Sequence, residues 1–203
     1  AIIEESFDRV IKTLTDGKRR LNHKDIQEEF VDYWNNLNDI SFIESNVDLS
    51  SNVKVVKVAQ FENYPRWFVG DNVKAILNYC YKYIGNTRMG KPTFTNALYI
   101  PLRDGAVLFP PSYKEFWTVK QFRNIIYKNI TGSNKRILER LVKQKIKPDD
   151  VLIVLVSIPL SDGNRTLIGV KYSEFTPLDI NKSRRKKEFS HPLYKTDANC
   201  KFS

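Results

Sequence analysis

Apolar side chains at Ile3, Phe7, Val10, Ile11 and Leu14 recur every three or four positions, so the chain opens on one face of a helix. Asp16-Gly17 and the basic Lys18-Arg19-Arg20 break that pattern. Asn22 is placed to cap a second helix, whose stripe is Ile26, Phe30, Val31 and Trp34. Two short helices cannot bury both stripes by themselves, so the pair must dock on something else. Residues 38–52 are polar, rich in Asn and Ser, and read as a connector.

The period then changes. Val53, Val55, Val56 and Val58, interrupted by Lys54 and Lys57, predict a strand with one solvated face. Trp67-Phe68-Val69 predicts a second short strand. Asp71 is the expected cap of a helix carrying Val73, Ile76, Leu77, Cys80 and Ile84 on one side. Ala97-Leu-Tyr-Ile100 is the next strand, limited by Pro101, and a proline-bearing loop runs through Pro110-Pro111.

Thr118-x-x-Gln121 is a capping-box pattern opening a helix through Phe122, Ile125 and Ile126. Gly132-Ser133 separates it from a helix with Ile137, Leu138, Leu141 and Val142, which Pro148-Asp149-Asp150 ends. The unbroken apolar run 151–156 has the composition of a strand buried on both faces. Asp162-Gly163 marks a turn, and 165–172 reads as the antiparallel neighbour of that strand. The expected fold is therefore α/β, a mixed sheet flanked by helices, with an N-terminal helical pair. The corresponding division is a helical segment 1–52, an α/β domain 53–172 and a basic tail or linker 173–203.

Composition narrows the classes. The chain has 203 residues, 41% hydrophobic and 12% aromatic, which is enough for a core and excludes a wholly disordered protein. No apolar run approaches the roughly 20 residues of a membrane span. Ala1-Ile-Ile-Glu-Glu has acids where a signal peptide would be positive, and two cysteines make no disulfide framework, so the cytoplasm is the expected location. Both ends look cut, as in a processed chain or a piece of a larger protein. The formal charge is +10, but unevenly spread: residues 1–52 carry six basic and eleven acidic side chains, a net of −5, which leaves +15 for the rest. Such asymmetry suggests separate surfaces with separate partners.

Most signatures of catalysis are missing. Gly85-Asn-Thr-Arg-Met-Gly90-Lys91 mimics a phosphate-binding loop, but Pro92 stands where the Mg²⁺-binding hydroxyl belongs, and the stretch follows a helix instead of a strand. Cys80, Cys200, His23 and His191 fall at no zinc spacing, and no Glu-x-Lys nuclease pattern occurs. Cys80 shares an apolar helix face and reads as a small core hydrophobe. His191-Pro192 with Cys200 loosely resembles the His-Pro-Asn and downstream Cys of ubiquitin-conjugating enzymes, yet Leu193 replaces the asparagine and the spacing is one short. No catalytic residue, metal or cofactor is expected.

Two surfaces remain as binding candidates. Between residues 114 and 147, ten Lys and Arg face two Glu, a net of +8. Lys120, Arg123, Lys128, Arg136, Arg140 and Lys143 are the nucleic-acid candidates of that segment, with Tyr113, Phe116, Trp117 and Tyr127 interleaved. The alternative is that these lysines merely solvate helices whose aromatics are core. Arg66, Trp67 and Trp117 lie beside loops and are the candidate anchors for a protein partner, or else close the core at its edges.

Three pieces carry a family resemblance: Pro65-Arg-Trp-Phe-Val-Gly70; Ala97-Leu-Tyr-Ile-Pro-Leu102 leading through Val107-Leu-Phe-Pro-Pro111 to Trp117-Thr-Val-Lys-Gln-Phe122; and the run 151–160 with Thr166-Leu-Ile-Gly-Val170. Their order resembles the linker region of bacterial ThiF-type proteins, which fuse a ubiquitin-conjugating-like domain to a ubiquitin-activating-like adenylation domain. Glu28-Glu-Phe-Val-Asp-Tyr-Trp34 resembles the helix after the conjugating domain. The resemblance implies a bacterial ubiquitin-like conjugation system, several of which serve antiphage defence. It carries over no nucleotide loop, catalytic aspartate or catalytic cysteine. It therefore implies a non-catalytic positioning module whose partner is a ubiquitin-like protein or a neighbouring domain. Nucleic-acid binding is the alternative function, and no membrane partner is expected.

Overall fold

In the computed structural model the chain is described over residues 11–12, 15, 30, 32–34, 41–85, 89–109, 111, 117–145, 152–160, 162–172 and 190–195. These residues contain seven strands: β1 (Ser41–Ser45), β2 (Lys54–Phe61), β3 (Trp67–Gly70), β4 (Pro92–Pro101), β5 (Leu152–Pro159), β6 (Arg165–Tyr172) and β7 (Ser190–Lys195). Helix α1 (Val73–Tyr83) connects β3 to β4, while α2 (Val119–Asn129) and α3 (Gly132–Lys145) lie between β4 and β5. The strands join in the order β1-β3-β2-β4-β5-β6-β7 and close into a barrel. β1 runs parallel to β3 and β7, β4 runs parallel to β5, and the other neighbours are antiparallel. This is the expected α/β architecture with a mixed sheet flanked by helices, curled until its edges meet.

Period-two alternation divides the apolar residues between two faces. Ile43, Val56, Val58, Trp67, Val69, Ala97, Tyr99, Ile153, Leu155 and Leu167 form one cluster drawn from the strands without any helix residue, and this fills the barrel. Leu98, Ile100, Val154, Val156, Ile158, Ile168 and Val170 point outward, where Phe122 and Ile126 of α2 and Leu138 of α3 cover them. A smaller outer cluster joins Ala59, Phe61 and Phe68 to Ile76 and Cys80 of α1 and to Met89. The apolar run at β5 is continuous because both faces of that strand are buried.

Local signals act as expected at α2, where Thr118 accepts from the Gln121 backbone N–H and Gln121 accepts from the Thr118 N–H. At α1 the cap is Asn72, not Asp71: Asn72 Oδ1 accepts from the Ala75 N–H at 2.9 Å. Asp71 instead pairs with Lys54 at 2.6 Å and accepts from the Asp48 N–H. Gly132 is the first residue of α3 and not a separator, with the Thr131 hydroxyl accepting from the Asn134 N–H.

The segment boundaries need correction. Residues 38–52, expected as a connector, contain β1, and the expected tail contains β7; both belong to the same sheet as residues 54–172. Ser-Phe-Ile-Glu-Ser is too short to show a period, and β7 carries a proline, so neither announces a strand. Of the N-terminal helical pair only residues 11–12, 15, 30 and 32–34 are described, all helical, and the rest lies outside the described residues. Phe30 and Trp34 do dock on the main outer core: their rings stack at 5.6 Å, and Trp34 lies 5.3 Å from Trp117. Among the described residues no helix is long and apolar enough to cross a membrane.

Candidate functional site

Alternation along β1 sends Ile43 into the barrel and leaves Phe42 and Glu44 outside, with Glu44 opposite Phe68 of β3. Glu44 is only 5% exposed, and a buried carboxylate is costly unless paired and hydrogen-bonded. Its partners come from two other elements. Arg66 Nη1, just before β3, donates to Oε1 at 2.9 Å. The Tyr79 hydroxyl of α1 donates to Oε2 at 3.2 Å, and the Tyr64 hydroxyl donates to Oε1 at 3.4 Å.

The carboxylate and its burial leave their mark on neighbouring groups. Desolvation first, then the Glu44 charge, pushes Tyr79 up to about 12 and raises Tyr64 as well. The same two causes in the same order push the Cys80 thiol up to about 12. Cys80 is buried and stays protonated at neutral pH, in keeping with its place on the apolar face of α1.

Aromatic rings lead outward from this network. Phe61 meets Phe68 edge-on at 5.5 Å, Phe68 touches Tyr64 at 5.4 Å and Tyr79 at 6.3 Å, and Tyr79 lies 4.8 Å from Tyr83. The ladder emerges at Tyr83, 43% exposed, with Tyr81 also exposed on α1 and Phe42 exposed on β1. Arg66 is half-exposed, and among the described residues its only hydrogen bond goes to Glu44. Its remaining guanidinium donors have no hydrogen-bond partner among the described residues.

Beside the ladder is a cleft of about 110 Å³ lined by Phe61, Leu77, Cys80, Tyr81, Gly85, Met89, Gly90 and Pro92. It holds both glycines of the phosphate-loop mimic. Ligand pockets usually span roughly 300–1,000 Å³, so this one is too small for a nucleotide. Gly90 has φ +73°, and a Cβ there would meet Asn63 Nδ2 at 3.0 Å, a backbone reason for the glycine with no phosphate involved. Among the described residues no cluster of three or more His, Cys, Asp or Glu could hold a metal.

The other partner candidates sit elsewhere. Trp67 is buried inside the barrel with the Lys171 ammonium 4.9 Å from its ring. Trp117 is buried between Trp34 and Phe122, stacked on the latter at 5.4 Å. Both expected anchors are thus core residues, because their area is already covered by their own chain. Of the three, only Arg66 reaches a surface.

On the α2–α3 flank Lys120, Lys128, Arg136 and Arg140 are exposed, and Arg123 is half-buried with its guanidinium 5.0 Å from the Tyr127 ring centre. Lys135 of α3 lies over the same ring at 5.1 Å. Lys143 falls within α3, but its side chain lies outside the described residues. His191 and Pro192 belong to β7, and Cys200 lies outside the described residues. Sequence reasoning missed Glu44, Tyr64, Tyr79 and Tyr83. The i, i+4 spacing of the last two was visible in the sequence, but nothing local links Glu44 to Arg66 across 22 positions. No protein-family model, curated protein or solved structure matches the chain.

Proposed function

We propose that this chain is a non-catalytic protein-docking module of a bacterial ubiquitin-like activation and conjugation system, and that it binds through the Arg66–Tyr83 face. The observation that carries the reading is half-exposed Arg66, held by the buried Glu44, a carboxylate that also accepts from Tyr79, whose ring contacts the exposed Tyr83. Arg and Tyr are the residue types most enriched in interface hot spots, and an arginine fixed before binding loses less side-chain entropy on contact. The partner class comes from the resemblance to ThiF-type fusions: a ubiquitin-like protein or a neighbouring catalytic domain.

The test is calorimetry of the full chain against the ubiquitin-like protein and the adenylating and conjugating domains of such a system. Hot-spot truncations cost about 2 kcal/mol or more, so Arg66→Ala and Tyr83→Ala are each expected to weaken binding roughly 30-fold. Binding unaffected by either variant rejects the face. Incubation with ATP and a ubiquitin-like protein is expected to give neither an adenylate nor a thioester, and a reducible thioester on either Cys80 or Cys200 rejects the non-catalytic role.

A further inference from the structure

We infer that the paired helices α2 and α3 form a second, independent site that binds the sugar-phosphate backbone of nucleic acid without reading its sequence. Across the two helices there are eight Lys and Arg and one acid, Glu139. Neither helix has an acid in its first turn, although the positive end of a helix favours one. α2 contains no acid at all, so its cations have no i, i+4 partner within the helix. Lys120, Lys128, Lys135, Arg136 and Arg140 are exposed, and none has a carboxylate in salt-bridge range among the described residues. A helix surface needed only for solubility mixes both signs. This one repels itself, and an anionic partner removes the repulsion.

Which anion follows from what the helices leave uncovered. Phe122, Ile126 and Leu138 are buried against the barrel and Ile125, Ile137, Leu141 and Val142 pack partly buried on the same core, so among the described residues no apolar stripe is left to enter a membrane interface. Three of the five exposed cations are lysine, which protein interfaces deplete. Tyr127 has Arg123 and Lys135 over its ring and Trp117 is buried, so the described aromatics of this segment are engaged, while Tyr113 and Phe116 lie outside the described residues. What remains is a field of cations that suits phosphates. Helices of 11 and 14 residues run about 16 and 21 Å, the length of roughly five to six nucleotides of one strand at about 3.4 Å each.

The experiment is fluorescence anisotropy of the full chain with a labelled 20-base-pair duplex and a labelled 20-nucleotide single strand, titrated with KCl. Five phosphate contacts give a log–log salt slope near −4.5 on duplex, so affinity is expected to fall roughly 500-fold between 50 and 200 mM salt, with scrambled sequences binding equally. The quadruple variant Lys120→Gln, Lys128→Gln, Arg136→Gln, Arg140→Gln is expected to lose at least 100-fold at 50 mM salt and to flatten the slope to about −1. The control pair Lys74→Gln, Lys82→Gln removes exposed cations from α1 and is expected to bind like the parent. An unchanged thermal melt for the quadruple variant separates lost contacts from lost fold; if it melts early, the single variants Lys128→Gln and Arg140→Gln carry the test, each expected to lower the slope by about one. Absence of binding at 50 mM salt overturns the inference, as does binding that survives the quadruple variant. Capture on anionic phospholipid vesicles or polyglutamate without nucleic-acid binding overturns it too. None of these outcomes bears on the Arg66 face, which lies on the other flank.

Discussion

Helix α1 and the α2–α3 pair cover the outer face of the same curled sheet, yet they invert each other's chemistry. Under α1 the charge is inside: Glu44 is buried and paired, and the tyrosines climb outward to solvent. Under α2 and α3 the aromatics are inside, Trp34, Trp117 and Phe122 in one stack, while the charge stands outside on exposed Lys and Arg. A sheet face does not dictate what its cover presents. The same apolar requirement is met on one flank by Phe61, Phe68, Ile76, Cys80 and Met89 beside a buried polar network, and on the other by large rings beneath helices whose exposed charges are nearly all cationic. The first flank therefore offers contact area with fixed polar handles, and the second offers field with little area. Hot-spot binding needs the former and phosphate binding the latter.

The largest expected effect lies on the aromatic flank. Trp34 is fully buried between Phe30 and Trp117, so Trp34→Ala is expected to cost about 3–5 kcal/mol and lower the melting temperature by roughly 10 °C. Differential scanning calorimetry checks it. A loss below about 1 kcal/mol breaks the comparison, because the ring stack would then not be what holds that flank.

On the α1 flank the comparable change is Glu44→Ala. It leaves two tyrosine hydroxyls in a partly buried site, but Arg66 is half-exposed and regains water, so the expected cost is lower, about 2 kcal/mol. The milder Glu44→Gln sharpens the same point through pH. Folded Tyr79 and Cys80 keep their protons to about 12, whereas their ordinary values are 10.0 and 9.0. Between those limits the unfolded chain has released protons that the folded chain still holds, so stability falls as pH rises from about 9 to 12. Removing the Glu44 charge lowers both folded values while burial still holds them up, so alkaline unfolding of Glu44→Gln is expected to spread over a narrower pH range. Urea melts at a series of pH values, with tyrosinate absorbance as a second readout, test this. An unchanged alkaline profile means that burial alone sets those protons.

How much of this was legible follows the same division. The hairpin β5–β6, the capping box at Thr118 and the helical face of α1 are local patterns, each readable within about ten residues. The barrel is not local: it closes through five residues of β1 and a proline-bearing β7. Each contributes too few side chains to show a period. The basic flank was legible because charge can be counted along a chain. The Glu44 network was not, since its four members come from β1, the turn before β3 and α1, and only the folded register brings them together. Trp67 and Trp117 look alike as sequence, and only burial shows that both serve the core.

Two glycines, one beneath the start of α1 and one opening α3, test the comparison through packing, and the second gives the smallest effect. At Gly70 the first turn of α1 sits so close to β3 that a Cβ would lie 2.6 Å from Asn46 Oδ1 and 2.8 Å from Ile76 Cγ1. Asn46 cannot easily yield, because its Nδ2 donates to the Ala75 carbonyl at 2.9 Å and its backbone N–H to Val69. Gly70→Ala is thus expected to cost about 1–3 kcal/mol by forcing α1 off the sheet. Gly132 opens α3 with nothing within 4 Å of where a Cβ would stand, and Thr131 already caps the helix. Gly132→Ala should therefore stabilise by about 0.5 kcal/mol, because alanine restricts the unfolded chain without disturbing the folded one. Opposite signs for the two substitutions in urea melts follow from a close backbone contact at α1 and open space at the start of α3. If Gly70→Ala is also neutral or stabilising, α1 rides further from the sheet than its contact with Asn46 implies, and the carboxylate beneath it is less enclosed than the Tyr79 proton requires.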